Sequence, residues 1–126
     1  MTVKILSKDG ILELHKDLIN KYGGTHGVRD EALFDSAVNA PFQSFGGVDF
    51  YPSIEEKAAR LGYGLAANHP FHDGNKRIGA HAMLAFLLIN DIELNCSPKE
   101  LSDMFLSIAD GTSNETDLLK WVQSHK

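Results

Sequence analysis

From Ala80 to Ile89 the chain reads Ala-His-Ala-Met-Leu-Ala-Phe-Leu-Leu-Ile. At helical spacing this segment is apolar almost all round, whereas a surface helix carries a single apolar stripe. Such a helix has to be surrounded, and other helices with one apolar stripe each are the simplest wrapping. The uninterrupted apolar run, Ala82 to Ile89, is too short to cross a bilayer, so the segment predicts the centre of a bundle.

The remaining sequence supplies the outer helices. Ser7 can cap a first helix with Ile11, Leu14, His15, Leu18 and Tyr22 on one face, ended by Gly23-Gly24. Asp30 can cap a short second helix bearing Leu33, Phe34, Ala37 and Val38, with Pro41 as its stop. Ser53-Ile54-Glu55-Glu56 is a capping box for a third, which ends before Pro70. The central helix follows from about Asn75, with Asn90 as its C-cap. Ser97-Pro98-Lys99-Glu100 opens a fifth helix closed by Gly111, and Asn114 with Asp117 opens a last one around Trp121. Residues 42–52 are aromatic-rich and lack helical periodicity, which suits a short extended pair acting as a flap over a site. A short strand is also expected near Ile92 to Asn95. The fold class expected is all-α: a compact bundle of about six helices around a buried central helix, in one domain spanning residues 1–126.

Gly62-Tyr63-Gly64-Leu65-Ala66-Ala67 loosely matches a dinucleotide fingerprint, but no strand precedes it. Its small residues are better read as permitting close helix packing. The formal net charge of −5 argues against a dedicated nucleic-acid binder. Cys96 stands alone, so neither an intramolecular disulfide nor a multi-cysteine zinc site is available, which fits a reducing compartment. With no signal-peptide pattern at Met1-Thr2-Val3-Lys4, a cytoplasmic location is expected, without direct contact to nucleic acid or membrane.

The chemistry concentrates in His69-Pro70-Phe71-His72-Asp73-Gly74-Asn75-Lys76-Arg77, immediately before the central helix. A helix N-terminus presents unpaired N–H groups and a positive dipole end, so two cations in its first turn oppose local stability. A bound polyphosphate resolves that conflict by meeting Lys76 and Arg77, with backbone N–H groups after Gly74 cradling an oxygen. Asp73 offers the kind of carboxylate that holds Mg²⁺ together with substrate phosphates. His69, across the turn, carries an imidazole, the side chain most often used as a general base near neutral pH. These residues point to transfer of a phosphate-containing group to a hydroxyl. Each also has a plainer reading: His69 as a helix cap, Lys76 and Arg77 as solvated charges. Phe71 reads as a core anchor, and His72 and His81 as structural. A metal cluster of His69, His72 and Asp73 is the weaker alternative, since no second cluster supports it.

The nine residues resemble the signature of the Fic/Doc superfamily, H-x-F-x-[DE]-G-N-G-R-x-x-R, at His69, Phe71, Asp73, Gly74, Asn75 and Arg77. Lys76 replaces the second glycine and Ala80 the last arginine, and both departures follow the Doc (death-on-curing) branch. The segment Gly23–Asp30, the Pro41 and Gly46-Gly47 region, the helix Glu56–Asn68 and the ending around Trp121 are similar to Doc sequences too. The resemblance implies a toxin of a toxin–antitoxin pair. Such a toxin transfers the γ-phosphate of ATP to a threonine of elongation factor Tu, and a Phd-type antitoxin silences it by folding a C-terminal segment into a groove. It further implies His69 as base, Asp73 as the Mg²⁺ ligand, and Gly74, Asn75, Lys76 and Arg77 as phosphate-binding residues. A Fic-like AMP transferase and a non-catalytic regulatory module are the alternatives.

Overall fold

A computed structural model describes residues 2–126 and has the all-α architecture. Its helices are α1 (Lys8–Tyr22), α2 (Glu31–Asn39), α3 (Ile54–Asn68), α4 (Asn75–Ile89), α5 (Pro98–Ala109) and α6 (Glu115–Ser124). The expected N-termini of five helices, all but α4, are present because each is set by residues three apart. Ser7 accepts from the Gly10 N–H and Asp30 from that of Leu33. Ser53 with Glu56, Ser97 with Glu100 and Asn114 with Asp117 form reciprocal capping boxes. Among the described residues no helix is long and apolar enough to cross a membrane.

Helix α4 is the central one. Ile78, Ala82, Met83, Phe86 and Leu87 are fully buried in it, and it packs most extensively on α3, with α1 and α5 alongside. The small residues of α3 explain how close the two helices come. A Cβ added at Gly79 would lie 2.8 Å from the Gly62 carbonyl oxygen and 3.1 Å from Ala66 Cβ. The obstacle at Gly79 is backbone, so an extra methyl has to push α3 and α4 apart. Gly79→Ala is therefore expected to destabilise the protein by about 1–2 kcal/mol, because overpacking outweighs the gain in helix propensity. Chemical denaturation measures this, and an unchanged or raised midpoint would show that the pair is looser than it looks.

One expectation of local structure needs correction. Residues 92–95 form no strand: the Ile92 N–H donates to the Leu87 carbonyl, and the Asn95 N–H donates to that of His125 at 2.6 Å. Those groups are occupied by a helix end and the C-terminal residues, which leaves no ladder to join. Pro41 follows directly on the end of α2, as expected of a stop. The helix ends at Asn39 and a 3₁₀ turn, Ala40–Phe42, carries on with Pro41 buried inside it.

The extended pair is real but minimal. Strands β1 (Ser44–Phe45) and β2 (Val48–Asp49) form an antiparallel hairpin, closed by Gly46 and Gly47 at φ 60 and 79. A two-residue turn of this hand favours glycine at both positions. Phe45, Val48 and Phe50 are solvent-exposed. Lys57 of α3 is buried beneath the hairpin, where its ammonium group meets the Asp49 carboxylate and the Tyr51 carbonyl. The charge is partnered in place, which is what makes a lysine tolerable there.

Candidate active site

The loop from His69 to Gly74 joins the C-terminus of α3 to the N-terminus of α4. Its conformation is imposed from several sides. His69 ends α3 in the left-handed region at φ 51, ψ 54, and Gly74 starts α4 at φ 76. Between them Phe71 is buried, stacked on His15 with centroids 3.7 Å apart and tilted against Phe34 at 5.1 Å. Phe71 is thus the core anchor expected of it. Asn75 reaches back to the same residue, its Oδ1 accepting from the Phe71 N–H at 2.9 Å and its Nδ2 donating to the Phe71 carbonyl at 3.1 Å.

The segment between α1 and α2 straps this loop. Val28 pairs with Phe71 in an isolated antiparallel bridge, and the His72 N–H donates to the Gly27 carbonyl at 3.2 Å. The Thr25 N–H donates to Asp73 Oδ2 at 2.7 Å. That bond, joined by the Thr25 hydroxyl, holds the Asp73 carboxyl below its ordinary range, so the group is a carboxylate at neutral pH. His15, read from sequence as part of an apolar stripe, is a buried partner of the loop. Its Nε2 lies 2.8 Å from the Asp73 carbonyl, which accepts, so the proton sits on Nε2.

Burial pushes the His15 imidazole below its ordinary range, the Asp73 carbonyl opposing only in part. The unfolded chain then binds a proton at higher pH than the folded one. The stability His15 contributes is full above about pH 6.5 and is lost as pH falls through that value toward the depressed one. Thermal denaturation should show the melting temperature of the parent falling more between pH 7.5 and pH 5 than that of His15→Phe. Equal falls would contradict the assignment.

His69, Asp73, Gly74, Asn75, Lys76 and Arg77 all line one cleft of about 840 Å³. The residues proposed from sequence as base, metal ligand and phosphate ligands therefore border the same space. The His69 ring is exposed on it, as are Asp73, Lys76 and Arg77. The Arg77 guanidinium lies over the Tyr22 ring at 4.3 Å from its centroid, and both residues line the cleft. No acidic residue occupies the first turn of α4, so its dipole, Lys76 and Arg77 all favour an anion. His72 and His81, read from sequence as structural, also line the cleft. Burial lowers the His81 pKa, with Lys21 and Arg77 adding to the effect. Ala80 lies in the cleft wall, where the Fic pattern carries its second arginine.

The opposite wall went unrecognised in the sequence. It is made by α5 and the turn before it, including Cys96, Ser97, Pro98, Leu101 and Leu106. The hairpin, in contrast, does not form a wall of this cleft. Phe50 and Tyr51 border a separate hollow of about 110 Å³ with Glu56, Glu115 and Leu119.

A single carboxylate fits Mg²⁺ when substrate phosphates complete the shell. Asp73 meets that description: it is exposed and lines the cleft. Among the described residues no group of three or more His, Cys, Asp and Glu converges to hold a metal without such phosphates.

The Fic/DOC family model matches residues 5–87, which take in α1 through most of α4 and the whole loop. The chain belongs to the Fic/Doc family. It is similar to the protein named Toxin Doc from Mycolicibacterium smegmatis, with 47% identity over 73 residues, 58% of this chain and 56% of that one. The chain thus spans little more than half the length of that relative. It is also similar to the protein named Protein kinase doc from Escherichia phage P1, with 28% identity over 106 residues, 84% of this chain and 82% of that one. Both relatives carry the Doc name, in keeping with Lys76 and Ala80.

Proposed function

We propose that this chain is a Doc-type toxin that transfers the γ-phosphate of ATP to a threonine hydroxyl of elongation factor Tu, in the cytoplasm. The observation that carries the reading is the convergence of His69, Asp73 and the cationic start of α4 on one cleft, in a chain similar to a protein named as a kinase. His69 accepts the hydroxyl proton as the hydroxyl oxygen attacks the γ-phosphorus. The bond from that phosphorus to the β–γ bridging oxygen breaks, and ADP departs. Mg²⁺ held at Asp73 would neutralise phosphate charge. Gly74, Lys76 and Arg77 hold the phosphates through backbone N–H groups and side-chain cations. Asn75 contributes mainly by holding the loop that carries the others, since both ends of its amide are bonded to Phe71.

Lys76 and Ala80 favour γ-transfer over AMP transfer. Lysine fills the space that a second glycine would leave for a diphosphate, and alanine removes one clamp. Incubation with γ-labelled or α-labelled ATP beside elongation factor Tu tests this. Label from the γ-position alone is expected. Label from the α-position would indicate AMP transfer, and none from either would indicate a non-catalytic module.

The partner that restrains the toxin is proposed to be a Phd-type antitoxin, through an amphipathic segment that orders on binding. Phe45, Val48 and Phe50 offer exposed apolar surface for it. Titrating the C-terminal segment of an antitoxin encoded beside this chain should give a strongly negative heat-capacity change and loss of transfer. Absence of binding, or binding without inhibition, would remove this part of the proposal.

A further inference from the structure

Three successive carbonyls at the C-terminus of α3 are taken by one residue of the strap. Arg29 donates from Nη2 to the Asn68 carbonyl at 3.3 Å and from Nε to the His69 carbonyl at 2.8 Å, and its backbone N–H donates to the Pro70 carbonyl at 2.7 Å. The last carbonyls of a helix lack partners within it and form the negative end of its dipole, so a guanidinium suits them. His69 needs such support more than most residues would. Among the described residues only His69 and Asp91 hold positive φ without being glycine. Glycine is the usual occupant of that position, but glycine carries no imidazole. The surroundings therefore have to hold a strained residue, and Arg29 contacts the peptide units on both sides of it.

We infer that Arg29 is a positioning residue, which holds the backbone of His69 in the left-handed turn that presents its ring to the cleft. This rests on the proposed role of His69 as the base. The guanidinium acts on main-chain carbonyls and touches no reacting atom. Its residue is exposed, so replacing it opens no core.

A purely structural clamp would also lower activity, so the test separates the two roles. Arg29→Ala is expected to reduce kcat about 10- to 100-fold, the scale of a misplaced catalytic group, with KM for ATP unchanged. In a His69→Ala background the same substitution should cost nothing further, because the group it acts through is gone. Equal losses in both backgrounds, or a fully active Arg29→Ala, would overturn the inference. A second readout does not depend on activity. The His69 Cα and Cβ chemical shifts should report left-handed backbone in the parent and lose that signature in Arg29→Ala. Unchanged shifts would overturn the inference whatever the enzyme does. If His69→Ala transferred phosphate normally, the proposed function would fall, and the shifts would still decide whether Arg29 sets this turn.

Discussion

His69→Ala is expected to leave the protein folded and able to bind nucleotide, but to lower the proposed phosphoryl transfer at least about 100-fold, the scale of losing a general base. The structure gives the reason for expecting both halves. The His69 ring is exposed on the cleft, whereas the contacts that fix the loop come from its backbone and from Phe71, Asn75 and the strap. Removing the ring therefore takes away the proposed proton acceptor and little of the architecture. Single-turnover kinetics with saturating ATP is the measurement. A folded variant with near-parental rates would show that His69 only ends α3.

Asp73→Asn carries the second large effect. Asparagine keeps an oxygen that can accept from the Thr25 N–H, so the tie to the strap survives while the negative charge does not. Transfer should fall on the order of 100-fold, as when one electrostatic contact to the transferring group is removed, and nucleotide binding should no longer respond to Mg²⁺. The parent's dependence also has a predicted pH limit. Because Thr25 holds the Asp73 carboxyl below its ordinary range, Mg²⁺-dependent binding persists on acidification until the pH is under that range. Calorimetry of parent and variant, with and without Mg²⁺, tests both points. Identical Mg²⁺ dependence would mean that Asp73 only anchors the loop to Thr25.

The features legible in the sequence were those written locally. A capping box needs a side chain and a backbone N–H three residues apart, so Ser53 with Glu56 and Ser97 with Glu100 could be read directly. The apolar circumference of α4 likewise announced its burial. The residues proposed as phosphate and metal ligands are neighbours in the chain, so one loop and one helix start bring them together. What could not be read depends on distant segments. Arg29 and His69 are 40 positions apart, His15 and Asp73 are 58, and nothing near either end declares the bond. Helix α5 shows the same limit from another side. Leu101 and Leu106 are apolar residues of an amphipathic helix, and only packing reveals that they line a cleft. The hairpin misled because exposed aromatic residues suggest a lid, whereas Lys57 ties its base over α3 instead.

In the proposed reaction the γ-phosphate of ATP, not the α-phosphate, meets His69 in this cleft. A crystal structure of the protein with Mg²⁺ and a non-hydrolysable ATP analogue measures it directly. The expected result places the γ-phosphorus nearest the His69 ring, with Lys76 and Arg77 on the phosphate oxygens and the metal bridging them to Asp73. An α-phosphorus nearest His69, or a nucleotide bound outside the cleft, would contradict the account.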